Sequence, residues 1–368
     1  MTRPLGPTLA QARSRSTAIR RALLAWFRKN ARVLPWRTDP RDPWAVWVSE
    51  VMLQQTRVTT VVPYFHAFML RYPDVKALAS AELDEVLGAW SGLGYYRRAR
   101  ALHAGARDVV DRFEATIPST IDELLSLPGV GDYTSAAIGS IAFGLRAAVV
   151  DGNVRRVIAR LFALRSQQEA SSVDLHKQIA QTLLPARAPG TFNEAMMELG
   201  ALVCTPGQPR CEACPVRASC DARRLGLQDS IPAPLKRDAS PVVRLIAAVV
   251  SRGDAVLMGK RDRDGLFGGM WDPPVFEQPI DPTWRRWLTK LRASPGRLPA
   301  AIASVRHVLT HRVLEVDVLC IEARGDANPQ EGAVPPGYQA LRWMTAGDMR
   351  RCGTSSLARR VLQAAGLK

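Results

Sequence analysis

The chain lacks any run of about 18 uninterrupted apolar residues, the length a membrane-spanning helix requires, so no membrane partner is expected. It also lacks an apolar stretch of secretory type after its first fifteen residues, where Arg3, Arg13 and Arg15 stand among small and polar side chains. Residues 1–15 therefore read as a flexible tail, and the chain as cytoplasmic. Cysteine is scarce, six residues in 368, which excludes a disulfide scaffold and suits thiols or metal ligands. Internal repeats and low-complexity tracts are absent, which sets aside solenoids and disordered linker proteins. Acidic residues are in deficit, 34 against 50 basic, for a formal charge of +16. The excess is spread along the chain: 29 basic against 20 acidic residues up to residue 227, and 21 against 14 beyond it. Such a balance favours a polyanionic partner without naming it.

A length of 368 residues points to two domains, and a composition 47% hydrophobic and 23% charged is that of a soluble globular protein. Over residues 16–225 apolar side chains recur at helical spacing, as in Ile19, Leu23, Leu24 and Phe27, or Val154, Val157, Ile158, Leu161 and Phe162. This part is expected to be all helix. Residues 226–241 hold three prolines and little periodicity, the pattern of a linker. Residues 242–368 change to β-rich runs at 242–251, 255–260 and 313–321, with a helix around 284–292. The expected fold is thus an all-α domain followed by an α+β domain.

Cys204, Cys211, Cys214 and Cys220 are spaced C-x6-C-x2-C-x5-C, four soft thiolates that can enclose one metal centre. A four-cysteine zinc site usually shows two Cys-x-x-Cys knuckles, and only one such pair is present here. The spacing favours a four-iron iron–sulfur cluster (4Fe–4S) over zinc. Cys320 and Cys352 read as plain thiols.

Leu127-Pro128-Gly129-Val130-Gly131 joins a helix ending near Ser126 to one starting near Asp132. Gly129 and Gly131 permit a tight turn whose backbone N–H groups can bind a phosphate oxygen, although such turns also serve as mere connections. Twenty residues past Gly131, Asp151 precedes an amphipathic helix, where it can be a simple N-cap or a reactive carboxylate. Glu50 shares a helix face with Trp47 and Gln54 amid large apolar residues, so a raised pKa is expected, against the alternative of a solvated glutamate.

Hairpin, aspartate and cysteine loop in this order resemble the helix-hairpin-helix DNA glycosylases of the endonuclease III superfamily. Within it, Leu34-Pro35-Trp36-Arg37, the stretch 49–56, Gly92-Leu93-Gly94-Tyr95-Tyr96, Asp151-Gly152-Asn153-Val154 and Phe192-Asn193-Glu194-Ala195 are similar to the adenine glycosylases of the MutY type. The resemblance implies excision of adenine mispaired with 8-oxoguanine or guanine in double-stranded DNA by a nucleoid-associated monomer. It implies that Glu50 protonates the base and that Asp151 stabilises the sugar cation beside Asn153. Tyr133 and Glu194 would surround the adenine and the acid. Gln55 and Tyr95 match residues that wedge into the gap left by the flipped base. Arg37, Gly129, Gly131, Thr310 and His311 complete the expected substrate and DNA contacts. Lyase-active relatives carry a lysine as the second residue after the hairpin, and here Tyr133 stands there, so a monofunctional enzyme is expected.

Residues 242–368 resemble the Nudix-like domain with which this family reads 8-oxoguanine, with Phe267-Gly268-Gly269-Met270-Trp271 matching its Trp-Gly-Gly stretch. The run 281–292 holds no glutamate to bind Mg²⁺, so recognition without pyrophosphate hydrolysis is expected. In Arg306-His307-Val308-Leu309-Thr310-His311 the usual Phe-Ser-His becomes Leu-Thr-His, which keeps a hydroxyl and loses an aromatic face. Two rival functions remain on sequence alone: a glycosylase for oxidised pyrimidines or mismatched thymine, and a non-catalytic iron–sulfur DNA-binding protein.

Overall fold

A computed structural model describes residues 5–166, 172–233, 240–293, 297–329 and 334–367. The chain divides into two compact units. One comprises Met1–Met69, Asp74–Lys76 and Ala104–Lys236, and the other Leu70–Pro73, Ala77–His103 and Arg237–Lys368. No described helix is long and apolar enough to cross a membrane.

Up to residue 224 the elements are helical: α1 (Leu5–Asn30), α2 (Pro43–Leu53), α3 (Val58–Arg71), α4 (Val75–Ala79), α5 (Leu83–Ala89), α6 (Arg97–Arg112), α7 (Ile121–Leu125), α8 (Asp132–Phe143), α9 (Gly152–Leu161), α10 (Val173–Leu183), α11 (Pro189–Leu202) and α12 (Asp221–Arg224). Local chemistry sets their ends. Asp42 accepts the Trp44 N–H and Pro43 occupies the first turn of α2, where a missing donor costs nothing. Thr120 accepts the Glu123 N–H at the start of α7. The core of the first unit joins Ile19, Leu23 and Phe27 of α1 to Val157 and Ile158 of α9, Ile179 of α10 and Leu199 of α11.

The expectation of a tail over residues 1–15 is corrected from residue 5 onward, because α1 begins at Leu5. Thr8, Ala12, Ser16, Ile19 and Leu23 recur every three or four residues and are all buried. Arg15 pairs with Asp221 at 3.0 Å. Small side chains hid this face from a reading that looked for large apolar ones. The segment taken as linker is likewise packed in part: Ile231 is buried in the helical core and its carbonyl accepts from Arg160 Nε at 2.8 Å. Residues 234–239 lie outside the described residues.

The second unit carries β1 (Val242–Arg252), β2 (Ala255–Arg261), β3 (Trp271–Asp272), β4 (Val275–Glu277), α13 (Pro282–Leu291), β5 (Ala303–Val308), β6 (Val313–Glu322), β7 (Tyr338–Met344), α14 (Ala346–Arg351) and α15 (Ser356–Ala364). The sheet runs β3-β2-β1-β6-β5, with β4 on β1 and β7 on β2. Strands β1 and β6 are parallel, from Val242 opposite Val313 to Ser251 opposite Glu322. Ala247 and Val249 face a core closed by Leu357 and Val361 of α15, whereas Ala248 and Val250 face one closed by Trp287 and Leu288 of α13. Both faces of the sheet are therefore covered, and residues 245–250 of β1 read as an unbroken apolar run.

Candidate active site

Helix α2 is buried on every side from Trp44 to Met52. Glu50 hangs from it at 5% exposure, and the Tyr133 hydroxyl, from the first turn of α8, donates to Glu50 Oε2 at 2.7 Å. Burial, first of all, drives the Glu50 carboxyl from its ordinary 4.5 up to about 7, with the charges of Glu194 and Asp151 adding to the rise. The Tyr133 hydrogen bond and Arg37 oppose it. Tyr133 itself is pushed well above 10 by burial and by the two carboxylates, so it stays a neutral donor.

Asp151 caps α9, and the simple reading is correct as far as it goes: Oδ1 accepts the Val154 N–H at 2.7 Å. Its second oxygen, Oδ2, accepts from Asn153 Nδ2 at 2.9 Å. Burial raises its pKa, while these hydrogen bonds and the Arg156 charge work in the opposite direction. Asn153 is in turn fixed by Arg156, whose Nη2 donates to Asn153 Oδ1 and to Gly200 O, both at 2.8 Å, and whose Nε donates to Cys204 O at 2.7 Å. Nothing in the sequence distinguishes Arg156 from its neighbour Arg155 except the face of α9 it occupies.

The space beside Asn153 is already full. A Cβ on Gly200 would stand 2.6 Å from Asn153 Cβ. Gly200→Ala is expected to displace Asn153 and release its bond to Asp151, and so to lower by up to about a hundredfold any single-turnover reaction in which Asp151 takes part. An unchanged rate in the folded variant would show that Asn153 does not orient Asp151.

Helix α11 contributes three polar residues. Asn193 Nδ2 donates to Ser140 Oγ and Ala147 O, and Asn193 Oδ1 accepts the Val149 N–H at 3.2 Å, anchoring the segment that leads into Asp151. Glu194, buried, takes Arg37 Nε at 2.9 Å and Arg41 Nη2 at 2.6 Å. One turn on, Glu198 takes a two-pronged pair from the Arg32 guanidinium at 2.8 and 2.7 Å, the Arg32 backbone N–H at 3.0 Å and a fourth bond from Arg37 Nη2 at 3.3 Å. Arg32, Arg41 and Glu198 went unnoticed in the sequence. The four-residue interval from Glu194 to Glu198, which puts both on one helix face, was the available signal.

The hairpin has the expected form. Gly129 adopts a left-handed φ of +77° that disfavours any side chain, and Gly131 precedes α8 without a side-chain cap. The opening N–H groups of α8, which like those of any helix have no acceptor within it, thus receive none from the side chain of the N-cap residue either. Gln55, at φ +56°, follows α2.

All four cysteines 204, 211, 214 and 220 line a single pocket, together with Arg160 and Arg223. Among the described residues no three of His, Cys, Asp or Glu form a ready metal cage. Cys204 Sγ instead accepts from Arg160 Nη1 at 3.3 Å, and Cys220 donates to Arg160 O at 3.4 Å. Four thiols converging on one pocket lined also by Arg160, Arg210, Arg217 and Arg223 remain a donor set suited to an anionic thiolate cluster.

In the second unit the Tyr95 hydroxyl lies 2.9 Å from Thr310 Oγ1. Thr310 and His311 are exposed at a turn closed by the Leu309 N–H donating to Arg312 O at 2.9 Å. Leu309 packs on the core, as a strand end would.

Residues 48–181 match the family described as HhH-GPD superfamily base excision DNA repair protein, and residues 246–364 match the NUDIX domain. The adenine DNA glycosylase of Homo sapiens is 35% identical over 407 residues, covering 94% of this chain and 74% of its own. That of Mus musculus is 37% identical over 385 residues, covering 89% and 74%. The Mycolicibacterium smegmatis enzyme is 43% identical over 194 residues, or 53% of this chain and 66% of its own. A solved thermostable thymine-DNA glycosylase superposes with a TM-score of 0.53 at 29% identity, covering 58% of this chain and 98% of that one. Identity at this level over most of both chains means that the chain belongs to the adenine DNA glycosylase family, the MutY-type branch of the helix-hairpin-helix base-excision enzymes.

Proposed function

We propose that this adenine DNA glycosylase excises adenine mispaired with 8-oxoguanine or guanine, with Glu50 as the acid and Asp151 as the stabiliser of the sugar cation. The observation carrying this reading is a protonatable Glu50, pushed up to about 7, in one site with a second carboxylate held by its own helix N-terminus. An N-glycosidic bond breaks through an oxocarbenium-like state, so one group must protonate the departing base while an anion faces the sugar. Glu50 holds the proton near neutrality. Asp151, hydrogen-bonded by Val154 and Asn153, offers the negative charge. Arg37 keeps Glu194 fixed at the edge of the base pocket. Gln55 and Tyr95 each wedge into the DNA at the mispair, the hairpin at Gly129 and Gly131 holds a phosphate, and Thr310 with His311 meets the opposite base.

Excision from duplexes with adenine opposite 8-oxoguanine, guanine and thymine, and thymine opposite guanine, tests this at one stated salt concentration. Preferred release of adenine opposite 8-oxoguanine is the expected result, and preferred release of thymine would overturn it. With Tyr133 where lyase-active relatives carry the Schiff-base lysine, the enzyme is monofunctional. Tyr133→Lys is expected to give a borohydride-trappable complex with DNA that the parent does not, and efficient trapping by the parent would refute this.

Cys204, Cys211, Cys214 and Cys220 would hold a 4Fe–4S cluster, which supplies a rigid tie across the loop 204–220 and no bond-breaking chemistry. Cys211→Ser is expected to lose the visible absorption of such a cluster and to weaken DNA binding before it slows bond cleavage. Unaltered absorption would exclude Cys211 as a ligand. The enzyme acts as a monomer on chromosomal DNA in the cytoplasm, and its Nudix-like domain, with no glutamate over 281–292, recognises the lesion without hydrolysing nucleotides.

A further inference from the structure

Tyr95 projects from a loop that its own backbone does not favour. Its φ is +49°, in the left-handed region that side chains disfavour, and it follows Gly92 at +114° and Gly94 at +72°. The residue is 45% exposed, yet one side of its ring is occupied. Arg98 Cζ lies 5.3 Å from the Tyr95 ring centroid and 5.6 Å from that of Trp90, and the arginine is only 9% exposed. Its Nη2 donates to Gly94 O at 3.2 Å and reaches Leu93 O at 3.5 Å. Trp90 Nε1 donates to the same Gly94 carbonyl at 3.2 Å, and the Arg98 N–H donates to Tyr95 O at 2.9 Å. Burial lowers the Arg98 pKa to about 10, still far enough above neutrality for the side chain to remain a cation.

We propose that Arg98 is a positioning residue that sets the angle of the Tyr95 ring and, through the bond from the Tyr95 hydroxyl to Thr310, the discrimination of the base opposite adenine. This rests on the reading of Tyr95 and Thr310 as contacts to the mispair. Three directions converge on Arg98: a ring face on Tyr95, a ring face on Trp90, and the loop carbonyls at 93 and 94. A planar guanidinium can satisfy all three at once, with π-faces for the rings and N–H groups in its plane for the carbonyls. A lysine keeps the charge but cannot stack in this way, and a methionine fills the volume with neither property. With the cation removed, Tyr95 is free to relax from its left-handed backbone, and the 2.9 Å contact with Thr310 goes with it.

The test uses the full chain with its cluster, in the variants Arg98→Met, Arg98→Lys and Tyr95→Ala. The readout is the ratio of excision efficiencies, kcat/KM, for adenine opposite 8-oxoguanine and opposite guanine, measured beside the thermal midpoint. Arg98→Met is expected to lose about tenfold in this ratio, because a desolvated cation–π contact is of that size. Arg98→Lys is expected to lose less, and its rate to fall more on the 8-oxoguanine duplex than on the guanine duplex. A parental ratio in Arg98→Met, even with lower rates on both duplexes and a lower midpoint, would make Arg98 a merely structural residue and overturn the proposal. Should Arg98→Met not fold, a parental ratio in Arg98→Lys overturns it instead. Tyr95→Ala separates the premise from the inference: a parental ratio there removes the reading of Tyr95 itself, whereas a reduced ratio there with parental ratios in the Arg98 variants sinks the role of Arg98 alone.

Discussion

Glu50→Gln is expected to lower the single-turnover rate of adenine release about a thousandfold or more, while duplex binding stays within a few fold of the parent. Glutamine preserves the volume and can still accept from the Tyr133 hydroxyl, so the site keeps its shape. What disappears is the proton, and general acids of this kind contribute on the order of 10² to 10⁴ in rate. The parent should show the corresponding pH dependence, with excision falling as pH rises through about 7 and Glu50 ionises. The same shift affects stability. A carboxyl whose folded pKa is about 7 and whose unfolded value is near 4.5 contributes fully below pH 4.5 and loses its contribution as pH rises through 7. Because the folded state binds more protons over that window, the loss reaches roughly 3 kcal/mol above it. Glu50→Gln does not titrate, so thermal melts should show the variant gaining on the parent from pH 5 to pH 8. A variant that retained full activity, or a gap that stayed constant with pH, would remove Glu50 from the role of acid.

Asp151→Asn should be nearly as damaging to turnover and almost harmless to the fold. Asparagine caps a helix as well as aspartate does, and its side-chain oxygen can keep the Val154 N–H. Excision is expected to fall by about a thousandfold, as when a charge-stabilising group is removed from the path of a developing ion, with a thermal midpoint near that of the parent. Were the midpoint to collapse together with the rate, Asp151 would be chiefly a cap. A preserved midpoint with a lost rate separates the two jobs that one carboxylate performs here.

The legible parts of this molecule were those where neighbours in sequence are also neighbours in space. Glu50 was recognisable because Trp47 and the valines beside it on α2 announce burial within a few residues. Asp151 and Asn153 were recognisable because cap, turn and helix are local. The fold class followed from periodicity, and the strands at 242–252, 255–261 and 313–322 begin where alternation and apolar runs place them. Arg32 and Arg41 were harder to read for the opposite reason: each is a charged residue among other polar ones, and only the approach of distant Glu198 and Glu194 on α11 makes an ion pair of it. The helical course of residues 5–15 was missed because its buried positions are filled by threonine, alanine and serine. The assignment of Ala77–His103 to the second compact unit depends on packing that no local pattern encodes.

The parallel pairing of β1 with β6 has a consequence for how the chain is made. Val242 must wait for Val313 before the centre of the sheet can close, so the ladder is a long-range contact of the kind that folds late. During synthesis the apolar strand 247–250 emerges well before β6, the strand that will cover its long edge. For that interval the nascent chain carries an apolar strand without its parallel partner, the kind of segment through which incompletely folded chains aggregate.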